Sequence, residues 1–163
     1  MNRYTLIPIL MMTVLLGSSG VCWGADYQKG FDAYEKGNYA TALKEWTPLA
    51  KQGIADAQHN LGNKNYTGKG VPQDYRTAVK WYTLAAERGI AKAQYNLGLM
   101  YDNGQGVPQD YIRAHMWFNI SVSTGYENAI KGRGIVARKM TPADLSAAQK
   151  LARECVAKNS KGC

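Results

Sequence analysis

The 163-residue sequence contains few of the side chains from which catalytic and metal sites are usually built. It has only two histidines and three cysteines. His59 and His115 are distant in sequence, and no Cys/His/carboxylate spacing typical of a metal site accompanies either of them. The sequence therefore predicts a protein that is not an enzyme and that needs no metal or other cofactor.

Long apolar segments are also scarce. The one extended apolar run, residues 6–16, follows Arg3 and is too short to span a bilayer, and small residues come after it. This order predicts a secretory signal peptide over residues 1–24, cleaved after Gly24 or after Ala25. Lipidation of Cys22 is the alternative. The signal peptide predicts an exported protein, periplasmic or extracellular and of bacterial origin. Because no second apolar segment occurs, we expect that it is not integral to a membrane.

Only Cys155 and Cys163 remain once the signal peptide is removed, and an oxidising compartment favours a disulfide between them. A continuous helix would separate their Cα atoms by about 12 Å, beyond the ~7 Å that a disulfide tolerates. The last helix is therefore expected to end before Cys163, with Asn159 and Gly162 turning the chain back. Two free thiols, reactive or metal-binding, are the alternative.

The net charge of +8 comes from basic residues interspersed with acidic ones, which argues against nucleic acid as a partner. One local excess of cations, with no acid among them, lies near residue 135. It consists of Lys131, Arg133, Arg138 and Lys139. The cluster is either a solvated helix surface or a contact for an anionic partner or envelope polymer.

Glycine, by contrast, is abundant and regularly spaced. Gly53, Gly89 and Gly125 are separated by 36 residues each, and the segment between them repeats. The loop sequence Gly-x-Gly-Val-Pro-Gln-Asp-Tyr occurs at residues 68–75 and again at residues 104–111. A period of this length indicates stacked supersecondary units that present an extended surface to another molecule.

Each repeat is predicted to contain two helices. Ala57, Leu61 and Gly62 give the first helix an apolar face with a notch for close helix contact. The loop over residues 67–73 is interpreted as a turn, because its glycines follow no strand and lack the Lys-Ser/Thr of a phosphate-binding loop. Asp74 then provides the N-cap of the second helix.

The whole of residues 25–163 is predicted to form one all-α domain, an α-solenoid of about four antiparallel helix pairs. A shortened first unit at residues 25–53 precedes two full units at residues 54–89 and 90–125. A diverged C-terminal cap occupies residues 126–163. Its last helix is expected to begin after Thr141, which is followed by proline at the first helical position.

The repeated residues Ala-x-Ala-Gln-x-Asn-Leu-Gly, the Gly-x-Gly-Val-Pro-Gln-Asp-Tyr loop and Ala-x-x-Trp-Tyr/Phe resemble the Sel-one-like repeat (SLR) family. This family is the longer-looped relative of the tetratricopeptide repeat (TPR), and the resemblance covers residues 26–158. It implies a superhelix with a concave face built by first helices, and a scaffold that binds a protein or peptide. Some secreted members are penicillin-binding or β-lactamase-like, but no serine here is followed three residues later by lysine.

The resemblance also implies which residues face the concave groove. Asn60 and Asn96 match a TPR position whose amide can donate to and accept from a peptide. Six further residues are expected around them: His59, Asn63, Tyr95, Leu99, Lys131 and Ile135. Ordinary solvent-facing helix positions are the alternative for all eight, and anionic envelope glycan or lipid is the alternative partner.

The second unit departs from the family pattern at Asn65, where the next unit has Tyr101. Asparagine cannot fill the volume of an aromatic ring, so this position predicts a local packing deficit.

Overall fold

Eight α-helices and no strand make up residues 25–163, the part of the chain that the computed structural model describes. The helices are α1 (Tyr27–Glu35), α2 (Tyr39–Lys51), α3 (Ala55–Thr67), α4 (Tyr75–Ala86), α5 (Ala91–Asn103), α6 (Tyr111–Ser123), α7 (Asn128–Ala137) and α8 (Pro142–Ala157). The all-α prediction is confirmed. The predicted signal peptide, residues 1–24, lies outside the described residues.

Polar caps and left-handed glycines set the ends of the helices where the repeat predicts them. Asp74 and Asp110 accept hydrogen bonds from backbone N–H groups in the first turns of α4 and α6. Gly68 and Gly104 follow α3 and α5 with φ of 73° and 67°, so a left-handed residue ends each first helix. Thr141 forms the predicted cap of α8.

Helices from α1 to α7 pack in succession, each on the next, which gives the predicted solenoid. The last helix differs, because α8 packs on α6 and hardly approaches α7. The last unit lacks an aromatic ring that the full units have, and this absence explains the difference. In full units the second helix carries an aromatic ring that fills the notch of the first helix, but Glu154, 36 residues after Phe118, is an exposed carboxylate. Gly134 on α7 accordingly faces open space.

The glycine notches are filled by rings in the first three units. At each contact, a Cβ atom added to the glycine would lie 2.5–2.6 Å from the nearest ring atom, too close for any side chain. The pairs are Gly30 with Trp46, Gly62 with Tyr82, and Gly98 with Phe118. The helical glycines therefore allow close helix approach, as the sequence indicated.

A disulfide joins Cys155 to Cys163 across a Cα–Cα distance of 5.6 Å, as predicted. The helix ends before the second cysteine, and Asn159 and Gly162 have φ of 53° and 68°. The turn also contacts an earlier unit, because the backbone N–H of Gly162 donates to a carboxylate oxygen of Glu87 at 2.9 Å. No helix within residues 25–163 is long and apolar enough to cross a membrane.

Candidate binding face

All eight residues predicted to face a groove lie on the first helices of their units. His59, Asn60 and Asn63 are on α3, Tyr95, Asn96 and Leu99 on α5, and Lys131 and Ile135 on α7. We call the surface of α1, α3, α5 and α7 that carries them the first-helix face. The structure separates these residues into a polar group on α3 and α5 and a largely apolar group on α5 and α7.

Three aromatic contacts recur along the first-helix face. In each, a ring on a second helix lies beneath a ring on the first helix of the same unit, with centroids about 6 Å apart. The contacts, called here the first, second and third ring pairs, are Trp46 with Tyr27, Tyr82 with His59, and Phe118 with Tyr95. The lower rings are 36 residues apart in sequence, so the three positions are equivalent.

A hydrogen-bond network closes the second ring pair. The Tyr82 hydroxyl donates to Oδ1 of Asn63 at 2.7 Å. Nδ2 of Asn96 lies 3.4 Å from both that oxygen and Nε2 of His59. Nδ2 of Asn63 lies 3.5 Å from the same imidazole nitrogen. The polar side chains predicted to meet a partner thus also bind one another.

His59 is neutral within this network at pH 7. Burial, with a smaller contribution from Lys92, lowers the pKa of the imidazole to about 4, although Asp56 opposes the shift. The other histidine, His115, is buried on α6, away from the network. Burial, and then the charge of Arg133, lower the pKa of its imidazole as well.

The first ring pair is partly open. Nδ2 of Asn60 donates to the Tyr27 hydroxyl at 3.1 Å, so the amide on α3 reaches back to the preceding unit, as Asn96 does in the next. A cavity of about 60 Å³ remains beside it. It is lined by Phe31, Tyr34, Trp46, Asn60, Asn63 and Lys64.

The third ring pair opens into a larger cavity of about 220 Å³. Gly132 occupies the position that Asn96 has one unit earlier, so no amide reaches across the rings. The lining residues are Tyr95, Leu99, Asp102, Phe118, Asn128, Lys131, Gly132 and Ile135. Four of the eight predicted groove residues therefore line one cavity, whose wall combines apolar side chains with polar ones.

The basic cluster near residue 135 is only partly free in the structure. Lys139 forms an ion pair of 2.6 Å with Asp102, and the Arg133 guanidinium donates to Oδ1 of Asn119 at 2.8 Å. Lys131 and Arg138 are exposed. The cluster therefore offers two exposed cations at the surface, while two others form bonds within the fold.

Lys64 is an unexpected charge in the interior, with 2% of its surface exposed. Its ammonium lies 3.4 Å from the ring centroid of Tyr34 and 4.7 Å from that of Tyr39. Burial, and secondarily the charge of Lys69, lower the pKa of this amine to about 8. The repeat register indicates this burial, because the equivalent residues one and two units later are the apolar Met100 and Val136, which are also buried.

Several members of the site were missed at the sequence level. Tyr27, Tyr82, Phe118 and Gly132 complete the ring pairs and the cavity, yet none was identified as part of the groove. The spacing of 36 residues between Tyr82 and Phe118 was available in the sequence. What it could not indicate is that these buried core rings lie directly beneath the residues of the groove.

Stacked helix pairs with this period define the α-solenoid class of repeat proteins. Within that class the chain contains Sel1 repeats. The Sel1 repeat family model matches residues 55–90 and 91–123, which correspond to the two full units. The resemblance stated above is thereby confirmed.

Two solved structures support this assignment. The chain is 31% identical to a protective antigen present in uropathogenic Escherichia coli strains that displays an SLR fold, with a TM-score of 0.77 over 80% of this chain. It is 30% identical to a Sel1 repeat protein from Oxalobacter formigenes, with a TM-score of 0.65 over 68% of this chain. The chain spans 29% and 46% of those two proteins. No curated protein sequence matches it.

Proposed function

We propose that this protein is an exported, non-enzymatic scaffold that binds a polypeptide partner on the first-helix face. The observation that carries the proposal is the row of three equivalent ring pairs, which places polar amides and an open cavity along one face. The assignment to a Sel1 repeat family of interaction scaffolds supports it. A polypeptide suits this face because it offers backbone polar groups and side chains at regular intervals.

The amides on the face retain hydrogen-bonding capacity for such a partner. Asn60 and Asn96 are half-buried, and each uses its Nδ2 within the fold. Within the described part of the chain, the side-chain oxygens of both residues accept no hydrogen bond. Each can therefore accept from a backbone N–H of a bound peptide.

Export is supported by the predicted signal peptide and by the disulfide between Cys155 and Cys163, a bond that persists in oxidising compartments. The proposed location is periplasmic or extracellular. Cell fractionation, with an intact disulfide on non-reducing peptide mapping, tests it. Two free thiols in protein taken from the native compartment would contradict the oxidised state.

The binding proposal is tested with the double variant Asn60→Ala and Asn96→Ala. Photo-crosslinking from the first-helix face in the native envelope identifies the partner, and calorimetry then measures its affinity. We expect the double variant to weaken binding by about 1–3 kcal/mol, the range for polar groups left unpaired in an interface.

A matched control lies on the opposite side of the repeat. Lys80 and Leu84 are exposed on α4, and the double variant Lys80→Ala and Leu84→Ala should bind normally. Circular dichroism checks that both double variants stay helical. Normal affinity of the asparagine variant would assign the interface to the convex side or the loops, and weak affinity of the control would assign it to the second helices.

Anionic envelope glycan or lipid is the second candidate partner, and the exposed cations Lys131 and Arg138 favour it. Binding to anionic vesicles or glycan fragments should then fall steeply with added salt.

A hydrolysis assay on β-lactam and peptide substrates tests the proposal that the protein is not an enzyme.

A further inference from the structure

We propose that the cavity at the third ring pair is an anchor site for one bulky apolar side chain of an acidic peptide segment. The inference rests on the proposed function, and it specifies the ligand chemistry of one part of the first-helix face. Leucine, methionine and phenylalanine are the side chains that fit. The flanking residues of the peptide are aspartate or glutamate.

The cavity exists because one unit lacks an amide that the earlier units have. Asn60 and Asn96 bind the ring of the preceding unit, whereas the equivalent residue on α7 is Gly132. A Cβ atom at Gly132 would lie 2.9 Å from the Phe118 ring, so α7 sits too close for a side chain there. The Phe118 ring is fully buried beneath α7, whereas Tyr95 and Leu99 stay half-buried and accessible on the side of the groove.

The polarity of the lining also changes along the face. Asn63, Leu99 and Ile135 follow one another at 36-residue intervals, so an amide on α3 is replaced by aliphatic side chains on α5 and α7. Both aliphatic residues line the cavity, and Ile135 is 36% exposed. An apolar ligand group gains by covering them, because their surface is removed from water.

The volume of the cavity selects a side chain over a larger element. At about 220 Å³ it exceeds the roughly 30 Å³ share of one water molecule several times, yet a sphere of this volume is only about 7.5 Å across, less than the diameter of about 10–12 Å of a helix. One inserted side chain from an extended segment fits these limits.

Charge at the rim selects an acidic segment. The carboxylate of Asp102 is already paired with Lys139, so the one acidic lining residue is compensated. Lys131 also lines the cavity, is exposed, and makes no ion pair within residues 25–163. Arg138 is also exposed, and it follows seven residues, or about two helical turns, after Lys131. A carboxylate next to the anchor side chain would find a free cation.

The test uses fluorescein-labelled, end-blocked octapeptides with the purified protein. One peptide carries a phenylalanine between two aspartates in a Gly/Ser background, and its partners replace phenylalanine by alanine or the aspartates by lysines. Fluorescence anisotropy measures Kd. We expect the acidic phenylalanine peptide to bind at least about tenfold more tightly than either partner, since one anchored side chain is worth that factor or more.

Two variants with matched controls locate the site. Ile135→Asp places a charge in the cavity, and Ile130→Asp makes the same change at a 51% exposed residue of α7 outside the lining. We expect the first to weaken binding about tenfold or more and the second to leave it within about twofold. Lys131→Glu should also weaken binding, whereas Arg153→Glu, which makes the same reversal of charge on α8, should not.

The outcomes separate this inference from the proposed function. Equal affinity for the phenylalanine and alanine peptides, or normal binding by Ile135→Asp, overturns the anchor site. If, in that case, the native partner still crosslinks to probes at positions 60 and 96, the first-helix face remains the interface and only the anchor site is wrong. If anionic vesicles bind in place of all peptides, and Lys131→Glu abolishes that binding, both proposals are wrong.

Discussion

The two junctions between the first three units place different side chains at the same position. At the first junction, between units one and two, Lys64 lies in the interior beside two tyrosine rings. At the second junction, between units two and three, Met100 is fully buried in a core cluster against which Tyr66, Tyr75 and Tyr101 pack. The tyrosine pairs are similar, with centroids 5.7 Å apart for Tyr34–Tyr39 and 5.4 Å apart for Tyr66–Tyr75.

The difference shows that the repeat determines which position is buried but leaves its chemistry open. A lysine stem packs like methionine, and aromatic faces offset part of the lost hydration of the ammonium. The offset is incomplete, because the pKa of Lys64 stays lowered, to about 8. The first junction therefore carries a cost that the second avoids.

The largest expected effect tests whether the second junction could tolerate the same charge. Met100→Lys should lower the free energy of unfolding by about 3–5 kcal/mol, because a fully buried amine must lose its hydration. Denaturant melts measure it, with Met100→Leu as a control that should cost less than about 1.5 kcal/mol. A loss below about 1 kcal/mol would show that a tyrosine pair alone accommodates a lysine.

The next largest effect is a loss of stability at low pH caused by His59, the titratable ring at the second junction. The equivalent residue on α1 is Tyr27. The folded pKa of about 4 is below the ordinary value of 6.5, so the unfolded chain binds the proton first as pH falls. Stability should decrease by roughly 2–3 kcal/mol between pH 6.5 and 4 on this account. His59→Tyr should lack that part of the decrease. Denaturant melts of both proteins across this pH range measure the effect. An equal decrease in the free energy of unfolding for both proteins would contradict the prediction.

A smaller effect is expected from making the first junction like the second. Lys64→Met should raise the free energy of unfolding by roughly 1–2 kcal/mol at pH 7, after allowance for partial solvent screening of the amine. The gain should shrink between pH 8 and 10.5, because the unfolded lysine holds its proton there while the folded one releases it. A gain that does not change with pH would mean that packing alone is responsible. A loss at pH 7 would mean that the tyrosine rings stabilise the charge.

The smallest effect concerns Asn65, near the first junction. Its amide donates to the carbonyl of Leu61 at 2.9 Å, so the packing deficit predicted from the sequence concerns volume alone. Asn65→Tyr should stabilise by about 1 kcal/mol, since it adds buried aromatic surface but removes that bond. Asn65→Ser, which adds no ring, should not stabilise. A neutral or destabilising tyrosine would show that the unit has repacked around asparagine.

Much of this fold could be predicted because the repeat makes local signals agree. Glycine spacing and the aspartate caps gave the helices of the two full units to within a few residues, and two cysteines behind a predicted signal peptide gave the disulfide. These features depend on neighbours along the chain or on the period itself.

The site was harder to predict because its contacts cross between units. Asn60 and Asn96 were expected to face a groove, and each also binds a residue 33 or 37 positions away. A single helix pattern shows which face a side chain occupies but not which neighbour it reaches. The burial of Lys64 was missed for a related reason, since lysine ordinarily marks a solvated position.

The bond between Gly162 and Glu87 has a consequence for cooperativity. In a repeat array each unit contacts only its neighbours, so an end unit can fray while the rest stays folded. Here the disulfide-closed turn reaches from the C-terminal cap to the end of α4, and Cys155 shares a core cluster with Ala85 and Ala86. Fraying of the cap must therefore expose the second unit as well. The chain's last turn couples the far end of the array to its middle, which favours all-or-none unfolding over stepwise loss of repeats.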